Sequence, residues 1–210
     1  MLYCISSIGR RKQYMNRQER EYINGHRGGI YWFIGLSGSG KTTLALAAER
    51  ELVTKHGMRC VVLDGDRLRK GLNRDLGFSD ADRSENLRRA AEVAQLFLEQ
   101  GFVVLVSMIT PYESFRRKLK QQFASDDYAE IYVMCSLAAC ERRDPKGLYR
   151  KARAGDIPNF TGINALFEPP VQPDLTIHTD GNEFNACIAE LVTFIEIHAT
   201  QKSDERKDEV

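Results

Sequence analysis

From residue 28 onward, short unbroken apolar runs alternate with longer stretches of helical periodicity. Residues 30–34 are aromatic and β-branched, follow the Gly28-Gly29 turn signal and read as a buried strand. Residues 43–53 are good helix formers with apolar positions three and four apart. Residues 59–63 form a second expected strand, ended by Asp64-Gly65-Asp66. Residues 83–100 read as a long amphipathic helix stopped by Gly101, and 102–108 as a third, fully buried strand. A basic helix is expected over 112–123, and strands over 130–134 and 174–178. Residues 183–198 close the pattern as a helix, with Phe184, Ile188, Leu191, Ile195 and His198 on or near one stripe. Strands that are apolar along their length and alternate with helices predict a parallel sheet covered on both faces. Ligands of such sheets bind beyond the carboxyl ends of the strands. Three chemistry-bearing segments converge on that rim: 35–42, 64–66 and 109–111.

The first of them reads Gly-Leu-Ser-Gly-Ser-Gly-Lys-Thr, an unbroken G-x-x-x-x-G-K-[ST] phosphate-binding loop. Gly35, Gly38 and Gly40 allow turns that a Cβ would forbid. The N–H groups of the loop, including those of Ser37 and Ser39, then face phosphate oxygens at the positive end of the next helix. Lys41 reaches the β- and γ-phosphates, the Thr42 hydroxyl ligates Mg²⁺, and Thr43 continues the nucleotide site. Strand, glycine loop and helix stand in the required order, so the chain is expected to bind ATP with Mg²⁺. The expected fold is a P-loop NTPase three-layer α/β sandwich. It has a five-stranded, mostly parallel sheet with helices on both faces and a basic lid.

Composition narrows the partners. A formal net charge of +1 gives no case for nucleic-acid or membrane attraction, and no apolar run reaches bilayer length. Residues 1–12 lack the hydrophobic stretch of a secretory signal. Residues 10–21 read as a solvated lead-in within an N-terminal extension, 1–27, with Met15 a candidate alternative start. The main domain is expected over 28–199, and 200–210 reads as a polar, frayed tail. The cysteines are Cys4, Cys60, Cys135, Cys140 and Cys187; only Cys135 and Cys140 are close in sequence, and no second pair completes a metal site. Cys60 and Cys135 are expected to be buried thiols in a reducing, cytoplasmic compartment. His26, His56, His178 and His198 lack metal or triad spacing.

Several stretches together resemble the adenylyl-sulfate kinase family. Beside the phosphate loop they are Leu-Asp-Gly-Asp-Arg-Leu-Arg-Lys-Gly-Leu-Asn at 63–73, Leu-Gly-Phe-Ser at 76–79 and Asp-Arg-Ser-Glu-Asn at 82–86. They continue with Arg-Asp-Pro-Lys-Gly-Leu-Tyr at 143–149, Lys-Ala-Arg-Ala-Gly-Asp-Ile at 151–157 and Asn-Phe-Thr-Gly-Ile at 159–163. The resemblance covers residues from about 28 to 180 and implies one reaction. ATP phosphorylates the ribose 3′-hydroxyl of adenosine 5′-phosphosulfate (APS), giving ADP and 3′-phosphoadenosine 5′-phosphosulfate.

The same resemblance assigns roles. Lys41, Asp64 and Asp66 are the catalytic candidates. Asp66 is expected at the 3′-hydroxyl, with Asp64 holding Mg²⁺ through water. Arg69, Arg83 and Asn86 match acceptor-binding positions, where arginine suits a multi-oxygen anion. Phe78 and Phe160 match aromatics that sandwich adenine, with Thr161 beside them. Lys146 matches an acceptor contact and Arg143 the ATP side, both in a basic, mobile lid from Cys140 to Gly162. Ile109 and Thr110 are expected to meet the acceptor through their backbone, and Arg116 matches a basic position after them. The family commonly has serine where Thr110 stands, associated with a proposed phosphorylated intermediate; that role is not carried over. A homodimer and association with an ATP sulfurylase are further implied. A 3′-kinase for another anionic nucleotide and a nucleotide-binding regulator are the competing readings, and a switch GTPase fails for want of an N-K-x-D-type signature.

Overall fold

The computed structural model describes residues 14–200. The apolar run after Gly28 becomes strand β1 (Gly29–Ile34), buried along its whole length. It is the middle strand of a five-stranded sheet ordered β2 (Cys60–Asp64), β3 (Val103–Ser107), β1, β4 (Tyr128–Met134), β5 (Leu175–His178). Every ladder is parallel, so the sheet is wholly rather than mostly parallel.

Alternate side chains of β1 enter opposite layers, as the pleat requires. Tyr31 and Phe33 pack with Leu44, Ala48 and Leu52 of α2 (Lys41–His56) and with Leu191 and Ile195 of α8 (Phe184–Thr200). Ile30, Trp32 and Ile34 pack with Leu87, Ala90, Ala94 and Leu98 of α4 (Asp80–Glu99) and Leu119 of α5 (Glu113–Lys120). The chain leaves β1 for the β2 edge, returns through β3 and crosses to β4. Strand order therefore reverses at β1, which opens a crevice at the carboxyl end of the sheet.

Three local expectations are corrected. Helix α4 begins at Asp80, not 83, because Ser79 caps it and accepts the Asp82 N–H at 3.2 Å. Asp64 does more than end β2: it caps the short helix α3 (Gly65–Lys70), accepting from the N–H groups of Asp66 and Arg67 at 3.1 and 3.0 Å. The stretch read as a solvated lead-in overlaps α1 (Arg17–Asn24), closed at its start by an Asn16/Glu19 capping box. Arg17 donates to both oxygens of Asp127, at 2.6 and 2.8 Å, Arg27 donates to the same carboxylate, and Glu21 accepts the Gly28 N–H at 2.9 Å. Burial opposes ionisation of Asp127, but the two guanidinium groups outweigh it and hold its pKa below the ordinary value.

Asp127→Ala should therefore loosen α1. Arg17 keeps Glu21 and the Gly28 carbonyl as partners, but loss of its two charge-assisted bonds to Asp127 costs about 1–3 kcal/mol, which hydrogen exchange should read as roughly tenfold faster exchange of the α1 amides. Unchanged protection would mean that other contacts hold this helix.

Cys60, Cys135, Cys140 and Cys187 are free thiols; Cys135 is buried as expected, whereas Cys60 is only partly buried. Cys4, the expected non-signal start and the tail beyond Thr200 lie outside the described residues. Among the described residues, no helix is long and apolar enough to cross a membrane.

Candidate active site

β1 runs straight into the phosphate loop. Gly35 adopts φ +154°, and a Cβ there would stand 2.6 Å from the Val133 carbonyl oxygen, so the close approach of loop and β4 admits only glycine. Lys41 opens α2 and is 8% exposed. Its ammonium donates to the carbonyls of Gly35 at 2.9 Å and Leu36 at 2.6 Å, inside the concavity that phosphate oxygens would fill. Burial lowers its pKa to about 8.

That shift has a sign. Between pH about 8 and the ordinary lysine value of 10.5, the unfolded chain holds this proton more tightly than the native state. Stability linked to Lys41 therefore rises with pH across that window, and below it the burial penalty is complete. The difference in unfolding free energy between wild type and Lys41→Met, measured by denaturant titration, should move in favour of wild type from pH 8 to 10. A pH-independent difference would show that the amine is not desolvated.

A cluster of hard oxygens lies beside the loop. The Thr42 hydroxyl donates to Asp64 Oδ2 at 2.7 Å and lies 3.1 Å from Ser107 Oγ. Asp64 and Ser107 are register partners at the ends of β2 and β3. Among the described residues, no three His, Cys, Asp or Glu side chains gather to cage a metal. One hydroxyl, backed by a carboxylate and completed by phosphates and water, is the donor set that suits Mg²⁺.

The cleft continues away from the loop for a volume of about 1510 Å³, above the roughly 300–1,000 Å³ of a site for one small ligand. Every expected site residue except Gly35 and Ser39 lines it. Gly35 lies under the loop against β4, and Ser39 is wholly buried. On the far wall Phe78 is 60% exposed, so its ring faces the cleft and not the core. The Arg69 guanidinium lies 4.5 Å from its ring centroid and that of Arg83 5.7 Å. Burial and then the charge of Arg83 lower the Arg69 pKa. Two crowded guanidinium groups make a wall that an anion would relieve. Asn86 is buried, and its Oδ1 accepts from Asn73 Nδ2 at 2.9 Å, which leaves its own amide hydrogens for the cleft.

The basic segment 140–162, expected as a lid, carries order that its composition did not show. The segment contains most of α6 (Leu137–Arg143), then α7 (Leu148–Arg153), and has its own apolar cluster. Cys135, Cys140, Tyr149, Ala152 and Phe160 form its centre. Phe160 is buried edge-on against Tyr149, ring centroids 5.0 Å apart, while still lining the cleft. The lid grips the phosphate loop directly. Tyr149 Oη donates to the Ser37 carbonyl at 2.9 Å and Arg143 Nη1 to that of Gly38 at 3.3 Å; Arg143 Nη2 donates to Thr179 O. Across the cleft Lys146 forms an ion pair with Asp66, and Arg83 Nη2 donates to Asn159 O at 2.8 Å.

Sequence reasoning missed Ser107 and Thr179, which line the cleft, and Asn73 and Tyr149, which bond to Asn86 and Ser37 in its wall. Ser107 carried a signal, being the polar end of a buried strand. Thr179, whose hydroxyl donates to Ser39 O at 2.7 Å, carried none.

Comparisons with known proteins agree with one another. The sequence model of the adenylylsulphate kinase family matches residues 27–178. An adenylyl-sulfate kinase of Geotalea uraniireducens is 53% identical over 173 residues, 82% of this chain and 83% of that protein. A probable adenylyl-sulfate kinase of Halalkalibacterium halodurans is 52% identical over 174 residues, 83% of each. Among solved structures, the APS kinase of Mycobacterium tuberculosis in complex with AMPPNP and APS superposes with a TM-score of 0.76. It is 47% identical and covers 81% of this chain and 98% of that one.

Proposed function

The chain belongs to the adenylyl-sulfate kinase family, and from that premise we propose how its cleft divides the work. It is a kinase that passes the γ-phosphoryl group of ATP to the 3′-hydroxyl of APS. ATP lies on the phosphate loop, with Lys41 at the β- and γ-phosphates and Arg143 over the loop from the lid. APS lies on the opposite wall. Its adenine stacks on Phe78 with Phe160 and Thr161 beside it, and its phosphosulfate meets Arg69, Arg83 and Asn86. Ile109 and Thr110 form the third side through their backbone. Mg²⁺ would be held by Thr42 with Asp64 behind it, and would supply charge neutralisation for the phosphates.

Asp66 orients the 3′-hydroxyl and takes its proton. The ion pair with Lys146 ties this base to the lid, so closing over APS and aligning the nucleophile are one movement. The lid core keeps water from the transferring group. The observation that carries the reading is one cleft, large enough for two nucleotides, with a phosphate loop on one wall and an arginine-flanked aromatic on the other.

The free thiols of Cys60, Cys135, Cys140 and Cys187 support a reducing, cytoplasmic setting. Tyr22 and Ile23 on α1 are 89% and 63% exposed, apolar surface suited to a homodimer contact. An ATP sulfurylase, which makes the acceptor, is the natural associate.

The test is ADP production from ATP and Mg²⁺ with and without APS, with the product identified by mass. Acceptor-dependent ADP and a 3′-phosphorylated product are expected. Tight ATP binding without acceptor-dependent ADP would move the reading to another anionic nucleotide.

A further inference from the structure

Thr110 stands in a conformation that needs holding. Its φ is +46°, a left-handed geometry that a β-branched side chain disfavours. Both polar ends of the residue are engaged. The indole Nε1–H of Trp32 donates to Thr110 Oγ1 at 2.8 Å, with Trp32 wholly buried and Thr110 2% exposed. Arg116, itself 1% exposed, donates from Nη1 to the Thr110 carbonyl at 3.1 Å and is braced by Glu113 at 3.0 and 2.6 Å. The next carbonyl, of Pro111, accepts the Glu168 N–H at 2.9 Å. The segment between β3 and α5 is therefore pinned from within the sheet and from one flank.

Trp32 lies on the central strand, ahead of the phosphate loop that β1 feeds. Its bond to Thr110 ties that strand to the wall built from Ile109 and Thr110. We propose that Trp32 is a positioning residue for the acceptor nucleotide, acting through the Thr110 hydroxyl. The hydroxyl serves as this anchor and carries no phosphoryl group. The assignment rests on the kinase reading, because the wall it positions is the acceptor side of that cleft.

Trp32 is the only tryptophan in the chain, so its fluorescence reports the surroundings of this one indole, the Thr110 bond among them. Thr110→Val is nearly isosteric but leaves a buried indole N–H without a partner. Acceptor KM should rise roughly tenfold, ATP KM should stay within about twofold, and the emission should move to shorter wavelength. Thr110→Ser keeps the hydroxyl and should recover most of the loss. Trp32→Phe removes the donor from the other side and should give the same KM split, which keeps the test decisive if Thr110→Val folds poorly. Equal rises in both KM values, an unchanged acceptor KM, or a phosphothreonine at position 110 after incubation with ATP would overturn the assignment. Absence of acceptor-dependent ADP from the unsubstituted chain would overturn the kinase reading and this assignment with it. Turnover without the KM split would overturn this assignment alone.

Discussion

Replacing Lys41 with alanine is expected to lower kcat by roughly 10²- to 10³-fold, the cost of removing one preorganised donor from a phosphoryl transition state. The reason lies in where the charge sits. The ammonium is buried and held by the carbonyls of Gly35 and Leu36. It is already aimed into the loop and needs only to exchange those partners for phosphate oxygens. In that low-dielectric setting each interaction is worth far more than in water. The fold should survive. Burying the charge is itself unfavourable, as the pKa of about 8 records, and alanine is an excellent helix former at the start of α2. The thermal midpoint should change by no more than about 2–4 °C, the effect of 1 kcal/mol in a chain of this size. Lys41→Arg should not restore full activity, because a planar fork does not reproduce a compact point charge. Steady-state kinetics and thermal unfolding check both halves. Unchanged turnover in Lys41→Ala would remove the phosphate-loop assignment.

What was legible in the chain follows from how local each cause is. The phosphate loop was readable because its glycines answer a backbone demand within a few residues, as Gly35 against Val133 illustrates. The strands were readable because a doubly covered parallel strand must be apolar throughout, as all of β1 is. Ser107 was not readable as a partner of Thr42, because their meeting depends on the register that sets Asp64 beside Ser107. The short helices of the lid were missed for a similar reason. Neither α6 nor α7 is long enough to be stable alone, and both form around a cluster that joins Cys135, Tyr149 and Phe160 from three places in the sequence. Helix α1 depends on Asp127, which is 110 positions from Arg17. The acceptor wall was legible only through resemblance. Nothing in the spacing of Arg69, Phe78 and Arg83 announces that two guanidinium groups share one exposed ring.

The two aspartates after β2 should separate cleanly under substitution, because they do different structural work. Asp66 is largely exposed, with side-chain accessibility of 59%, and among the described residues its only ion pair is with the similarly exposed Lys146. A pair of that kind adds between about 0 and 1 kcal/mol to stability. Asp66→Asn should therefore keep the fold and lose roughly 10²- to 10⁴-fold in kcat, the range for removing a positioned proton acceptor. Asp64 is buried, caps α3 with one oxygen and accepts from Thr42 with the other. Asp64→Ala should lose activity and also about 1 kcal/mol of stability with the cap, read as a midpoint lower by about 2–4 °C. Asp64→Asn discriminates further. Asparagine caps as well as aspartate, so the midpoint should recover while the missing charge behind Thr42 still depresses turnover and raises the Mg²⁺ needed for half-maximal rate. Asp66→Asn should leave that Mg²⁺ requirement where it was, since Asp66 bonds to the lid rather than to Thr42. An Mg²⁺ requirement that moved with Asp66 and not with Asp64 would reverse the two roles.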